Sequence, residues 1–401
     1  MKMKKWLAVL FVVMLVAVLV VAGCAKQEAK NEGGEASKEG GAETIKIGVN
    51  YELSGDVSTY GSNTVDAIKL AFDEINAAGG VNGKQLEPVI LDNKSDPAEA
   101  LSVATKLITQ EKVVAHLGAA TSGATLNVVP VATQYQIPVL TTSATNPDVT
   151  VDPQSGKTRD YIFRTCFIDP PQAIVGASFA YNDLGVKKVA IYYDNTNDYS
   201  KGLYKVFKEE FTKLGGEIVA EEGYGKDDQE FRPTLTKFKN AGAELIYIPG
   251  YYEKVAKIIS QARELGITVP FLGADGWDSP DLVAIAGAEA LNGTYFTNHY
   301  SSQDPSEKVQ KFVNAFKAKY NKVPDSFAAL GYDAAYLLAD AIKRAGSAEP
   351  AAITKALAET KDFDAVTGKL TFDDKHNPIK EIAIIEMKDG VQTLKTKIAP
   401  K

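Results

Sequence analysis

The feature that most constrains this chain is alternation. Apolar runs of strand length ("TIKIGVNY", "QLEPVILDN", "VVAHLG", "IPVLTT", "KKVAIYYD", "GEIVAEEGY", "ELIYIPG" and "VPFLGAD") alternate with segments whose apolar residues recur at helical spacing. "TVDAIKLAFDEINAAGG" stops at a glycine pair. "DPAEALSVATKLITQ" opens with Asp96 in the N-cap position and Pro97 in the first turn. "YSKGLYKVFKEEFTKLGG" and "YEKVAKIISQARELG" also end in glycine. Strands that are apolar along their length, with helices between them, predict an α/β fold with parallel sheets. In a chain of 401 residues the alternation runs too long for one sheet. It pauses at "VDPQSGKTRDYIFRTCFIDPPQ", rich in proline, glycine and charge, and restarts at "KKVAIYYD". The expectation is two similar βα lobes with a cleft between them.

The residues before the alternation read differently. "MKMKKW" and the apolar "LAVLFVVMLVAVLVVAG" have the form of an export signal. The run is nearly long enough to span a bilayer, so an uncleaved anchor is the alternative. Small residues lead into a lone Cys24, which resembles the lipobox of bacterial lipoproteins. That resemblance implies a signal peptide over 1–23 and a lipid on Cys24. The stretch 24–43, made of Gly, Ala, Glu and Lys without aromatic residues, buries too little to order itself and is expected to be a flexible tether. The net charge of −7 becomes −10 when the three signal lysines are removed, which argues against a nucleic-acid partner. With Cys24 so used, Cys166 has no partner for a disulfide and is expected in the core. No cysteine cluster suggests a metal.

In such sheets ligands bind outside the carboxyl ends of the strands, so the loops that follow strands are the candidates. In the first half these are "ELSGDVSTYG", "GAATSGAT" and "TTSATNP", rich in small hydroxyls. In the second half they are "DNTNDYSKG", "PGYYEK" and "GADGWDSP", carrying tyrosines and aspartates. "TSG" entering a helix offers free amides and a hydroxyl at the positive end of the helix dipole, which suits a carboxylate. An aspartate among aromatics suits an ammonium. A cleft with both ends fits a zwitterion. Ser122 could instead be a nucleophile, but "GAATSGAT" is not the Gly-x-Ser-x-Gly elbow and no histidine follows in a triad pattern. Helix capping is the plainer use of Ser122 and Thr145, turn formation of Asp275 and Asp278, and core packing of Tyr199, Tyr251 and Trp277. "DNTNDYSKG" lacks the glycine and glutamate of a calcium loop. His116 is expected as a satisfied core residue, and His376 in a hairpin turn.

Taken in order, "LSGDVSTYG", "AAGGVNGKQLEPVILDNKSDPAEA", "TSGATLNVVPVATQYQIPVLTTSATNPDVT", "YIFRT", "GYYEKVAKIISQARELG" and "FLGADGW" resemble the type I periplasmic-binding-protein family, above all its leucine/isoleucine/valine-binding members that serve ABC importers. The resemblance implies two Rossmann-like lobes joined by three crossovers, with lobe I at 45–163 and 299–362 and lobe II at 164–298 and 363–395. It also implies a monomer without cofactor or enzymatic activity, held outside the cell membrane, that passes a free amino acid to an ABC permease. A ligand sensor of the same fold that signals to a partner, or a binder of another small amide or carboxylate, is the alternative. By the same resemblance Ser122 takes the ligand carboxylate, and Ser143, Ala144 and Thr145 supply backbone and hydroxyl groups near it and the amino group. Tyr60, Ala120 and Thr121 line the side-chain pocket, Tyr199 and Tyr251 close over the ligand, and Asp275 pairs the ammonium. Trp277 is expected to narrow the pocket or to admit an aromatic ligand, and Tyr300 is a further match.

Overall fold

The computed structural model describes residues 43–399. The signal peptide, Cys24 and nearly all of the tether lie outside the described residues. Among those described, no helix is long and apolar enough to cross a membrane.

The first sheet is wholly parallel. It contains β1 (Thr44–Tyr51), β2 (Gln85–Asp92), β3 (Ala115–Gly118), β4 (Val139–Thr141) and β5 (Ile162–Arg164), in the order β2-β1-β3-β4-β5. Its connecting helices are α1 (Ser58–Ala77), α2 (Pro97–Thr109) and α3 (Ser122–Tyr135). The chain then crosses to α4 (Asp169–Ser178) and builds β6 (Lys188–Asp194), α5 (Asp198–Lys213), β7 (Glu217–Tyr224), α6 (Arg232–Asn240), β8 (Leu245–Tyr247), α7 (Tyr252–Glu264), β9 (Phe271–Gly273), α8 (Pro280–Ala286) and β10 (Thr294–Asn298). A second crossing leads to α9 (Glu307–Tyr320), α10 (Ser326–Ala345) and α11 (Pro350–Ala358), then to the small ladder of β11 (Phe363–Ala365) and β12 (Gly368–Leu370). A third crossing returns to β13 (Ile382–Lys388) and β14 (Val391–Ile398). These extend the second sheet antiparallel, giving β14-β13-β10-β9-β8-β6-β7.

The two sheets share one strand order. β2-β1-β3-β4-β5 and, read from its other edge, β7-β6-β8-β9-β10 both reverse direction beside the first strand of the set. Such a reversal opens a crevice at the strands' carboxyl ends. It falls between β1 and β3 in one lobe and between β6 and β8 in the other.

Local chemistry matches the reading in several places. Asp96 caps α2 by accepting from the amides of Ala98 and Glu99, with Pro97 in the first turn. Three expectations need correction. α1 begins at Ser58 rather than Thr64. It can do so because Gly61 lets its first turn press against the end of β1, where a Cβ would lie 2.1 Å from the Glu52 carbonyl oxygen. Residues 363–378, expected in the second lobe, pack on the first. The amides of Val366 and Thr367 donate to Asp333 of α10, Asn377 accepts from Thr150, and His376 stacks on Phe163. The buried Asp333 satisfies backbone donors that this segment could not otherwise pair. Finally, His116 is buried in β3, but neither ring nitrogen has a partner, and burial pulls its pKa to about 4.

Candidate functional site

The carboxyl ends of the two sheets enclose a small, nearly filled cavity of about 10 Å³. From the first lobe come Tyr60 of α1, and Ala120, Thr121 and Ser122 at the start of α3. Ser143 follows β4, and Phe327 opens α10. The second lobe supplies Tyr199 of α5, Tyr251 before α7, and Asp275 with Gly276 after β9. Contacts cross the cleft. The Tyr60 hydroxyl donates to the Gly276 carbonyl, Thr59 Oγ1 lies 2.9 Å from Ser279 Oγ, and Asn146 Nδ2 donates to the Asp198 carbonyl at 3.1 Å.

One wall is made of small polar groups. The buried Glu52, just after β1, accepts from the Ala120 amide (3.1 Å) and from the amide and hydroxyl of Thr121 (3.0 and 2.9 Å). Its carboxylate fixes the approach to α3 and leaves the amides of the first helical turn, from Ser122 onward, as the free anion donors. Ser122 Oγ accepts from the Asn146 amide at 3.2 Å, which leaves its own proton available, and Ser143 Oγ donates to the Ala120 carbonyl. The buried Arg164 guanidinium holds the carbonyls of Ala144 (2.5 Å) and Asn146 (2.9 Å), and so sets the loop after β4.

The opposite wall is acidic. Asp275 is 2% exposed. Its Oδ1 accepts from the Tyr199 hydroxyl (2.8 Å) and Gln172 Nε2 (2.9 Å), and its Oδ2 from His299 Nε2 (3.1 Å). Two oxygens offer about four lone-pair sites, so Oδ2 keeps one for a cation in the cavity. Gln172 also donates to Asp169, whose carboxyl burial pushes up to about 7. Burial holds the Tyr60 and Tyr199 hydroxyls well above their ordinary pKa, so they remain proton donors. The remaining wall is aromatic. Tyr60 stacks on Phe327 with centroids 3.9 Å apart, and Tyr251 stacks on Tyr199 at 5.1 Å.

Four expected residues lie elsewhere. Trp277 neither lines nor narrows the cavity. The tight 3-10 turn Asp275–Trp277 sends Asp275 inward and Trp277 back under β9. There it is fully buried, its Nε1 donates to the Ile248 carbonyl at 2.9 Å, and its ring covers Gly273. Ala144 sits behind the wall, its carbonyl taken by Arg164. Tyr300 lines a different cavity at the crossovers. Thr145 is fully buried behind Ser122 and Ser143. Its backbone carbonyl accepts from the Asp169 amide, and its hydroxyl makes no well-formed hydrogen bond. Sequence reasoning missed Glu52, His299, Gln172, Gly276 and Phe327. Among the described residues, no group of three or more His, Cys, Asp or Glu side chains is placed to hold a metal.

The model of a family described as periplasmic binding protein matches residues 44–392. The chain belongs to that family. This periplasmic binding protein is similar to the leucine-, isoleucine-, valine-, threonine-, and alanine-binding protein of Pseudomonas aeruginosa, with 32% identity over 85% of this chain and 89% of that one. A leucine binding protein from Thermotoga maritima superposes with a TM-score of 0.84 at 37% identity, covering 89% of this chain and 99% of the other. A branched-chain amino acid transporter substrate binding protein from Streptococcus pneumoniae, in complex with isoleucine, gives a TM-score of 0.83 at 42% identity, again over 89% and 99%. The two-lobed α/β architecture of this binding protein is that of type I periplasmic binding proteins.

Proposed function

We propose that this protein is the extracytoplasmic substrate-binding component of an ABC importer, and that it captures a free branched-chain amino acid between its lobes and hands it to the permease. The observation that carries this reading is the arrangement of the closed cavity. A hydroxyl and helix-amide cradle at Ser122 faces the buried Asp275 carboxylate, and Tyr60, Phe327 and Tyr251 stand to the side. The cradle takes the carboxylate and Asp275 Oδ2 the ammonium. The aromatic rings, which have no further charge to offer, take an apolar side chain. Because the ligand touches both lobes only when they are closed, it stabilises closure by those extra contacts.

Ser122 acts as a cradle and not as a nucleophile. Its Oγ receives a backbone amide, and none of His116, His299 or His376 is bonded to it. The chain works as a monomer, tethered to the membrane by lipid on Cys24. The lobes divide at the crossovers after Arg164, after Asn298 and before Ile382.

A thermal-shift panel over the amino acids tests the reading. Ligand at ~100 times its Kd adds about 2.7 kcal/mol, a rise of roughly 1.3 °C per kcal/mol for a protein of this size, or a few degrees in all. Leucine, isoleucine and valine are expected to give the largest shifts. No shift with any amino acid would sink the proposal.

A further inference from the structure

Asp275 does not stand alone in its wall. His299, the first residue after β10, sits in the second crossover with its side chain 1% exposed, and donates from Nε2 to Asp275 Oδ2 at 3.1 Å. Its ring packs on Phe167 of the first crossover, with centroids 3.7 Å apart. His299 also lines a second cavity of about 650 Å³, walled by the second and third crossovers and the β11–β12 ladder. One side chain thus touches the ligand-facing carboxylate, the first crossover and a hinge cavity. Its Nδ1 has no partner. A carboxylate only accepts, so the neutral ring keeps its proton on Nε2 and has a bare Nδ1.

We propose that His299 is a positioning residue for ligand capture: neutral, it holds the Asp275 carboxylate from the hinge, and on taking up a proton at Nδ1 it competes with the ligand ammonium for Oδ2. This rests on the amino-acid reading above. The geometry limits the competition to one oxygen. Tyr199 and Gln172 saturate Oδ1, so His299 and an ammonium must share Oδ2.

The charged groups around the imidazole are Asp275 and Asp278 after β9, and Lys380 on the third crossover. Asp169 is connected through Gln172. The aspartates favour the imidazolium and Lys380 opposes it, but burial dominates and holds the pKa below its ordinary value. The ring is therefore neutral at pH 7. A bound ammonium beside it disfavours the second charge further, so the pKa is lower with ligand than without. Affinity is then full above the pKa of the free protein. It falls as pH drops through that value, by at most tenfold per pH unit for one linked proton. Asp169 titrates with the same sign, since protonating it removes negative charge from the wall, and it must be separated by mutation.

Calorimetry with L-leucine between pH 7.5 and 5 on wild type, Asp169→Asn, and His299→Gln added to Asp169→Asn provides the test. The glutamine amide still donates to Oδ2 but takes up no proton. Wild type is expected to lose affinity as pH falls, Asp169→Asn to keep a slope of up to tenfold per unit, and His299→Gln added to Asp169→Asn to bind within about fivefold of that variant at pH 7.5 without the slope. Proton NMR of the His299 ring, assigned by the same variant, should show a lower pKa with leucine than without. A flat profile in Asp169→Asn, a slope that survives when His299→Gln is added to Asp169→Asn, or a His299 pKa unmoved by leucine overturns the proposal. Leucine binding with a flat profile sinks this proposal alone. No leucine binding at pH 7.5 sinks the amino-acid reading with it.

Discussion

Replacing Asp275 by asparagine separates charge from shape. The carboxylate is 2% exposed and accepts three side-chain hydrogen bonds, from Tyr199, Gln172 and His299. In the variant the amide oxygen can still serve Tyr199 and Gln172. The new NH₂ would face His299 Nε2–H, but the imidazole can move its proton to the unpartnered Nδ1 and accept instead. The fold should therefore lose no more than about 1 kcal/mol, the value of one rearranged hydrogen bond. The ligand has no such escape. Its ammonium would be buried in a closed cavity without a counter-charge, at a cost of ~3–5 kcal/mol by analogy with broken buried ion pairs. At 1.4 kcal/mol per tenfold, that is a loss of roughly 100- to 4,000-fold in affinity. Calorimetry with L-leucine measures it, and a thermal melt without ligand checks the fold. Asp227→Asn, at an exposed loop position, serves as the control. Asp278, though close by, cannot, because it is buried and accepts from Asn298, Ser326 and Gln392. If Asp275→Asn binds leucine within threefold of wild type while staying folded, the ammonium is held elsewhere.

The other expectations concern the scaffold and the anchor. Glu52→Gln removes the charge from three hydrogen bonds at the approach to α3 and leaves one acceptor oxygen. It should destabilise the protein by about 2 kcal/mol, read from the urea midpoint, and weaken leucine binding. An unchanged midpoint would show that the α3 approach needs no carboxylate. Gly61→Ala puts a methyl group 2.1 Å from the Glu52 carbonyl oxygen, which should cost ~1–3 kcal/mol of stability and lower affinity by displacing Tyr60. A wild-type melt would contradict the close approach. Cys24→Ser should release the protein from membranes in a fractionation, whereas persistent membrane association would favour the uncleaved apolar anchor.

The regular parts of the fold were legible because periodicity reports burial. "TIKIGVNY" and "GEIVAEEGY" form strands where their apolar character predicts them, and Asp96 caps α2 as its sequence announces. The site was legible as far as it follows strands, since Ser122, Tyr199, Tyr251 and Asp275 all stand just beyond strand ends. The rest was hidden for identifiable reasons. Phe327 reaches the cavity from the first turn of α10, which is placed by packing against α1 and by nothing in its own neighbourhood. Trp277 and Asp275 are two residues apart in one loop, and sequence does not say which side a tight turn presents. His299 stood among scattered histidines, and its meaning came only from the crossover that carries it. Glu52, a lone acid closing an apolar strand, was the one visible signal passed over.

The packing of α10 on α1 reaches beyond the site. The Thr64 hydroxyl lies 3.3 Å from the Phe327 carbonyl, across 263 residues of sequence, and Gly331 of α10 sits so close to α1 that a Cβ would meet Thr64 at 2.7 Å. The first lobe therefore cannot close its own hydrophobic face until the second has been synthesised and the chain has come back. Its folding depends on contacts of very long sequence separation, which form slowly because loop closure must precede them. An emerging or truncated chain that ends before α10 leaves the buried face of α1 bare, with no ligand cavity to complete. Competence to hold a ligand thus reports that nearly the whole chain is folded.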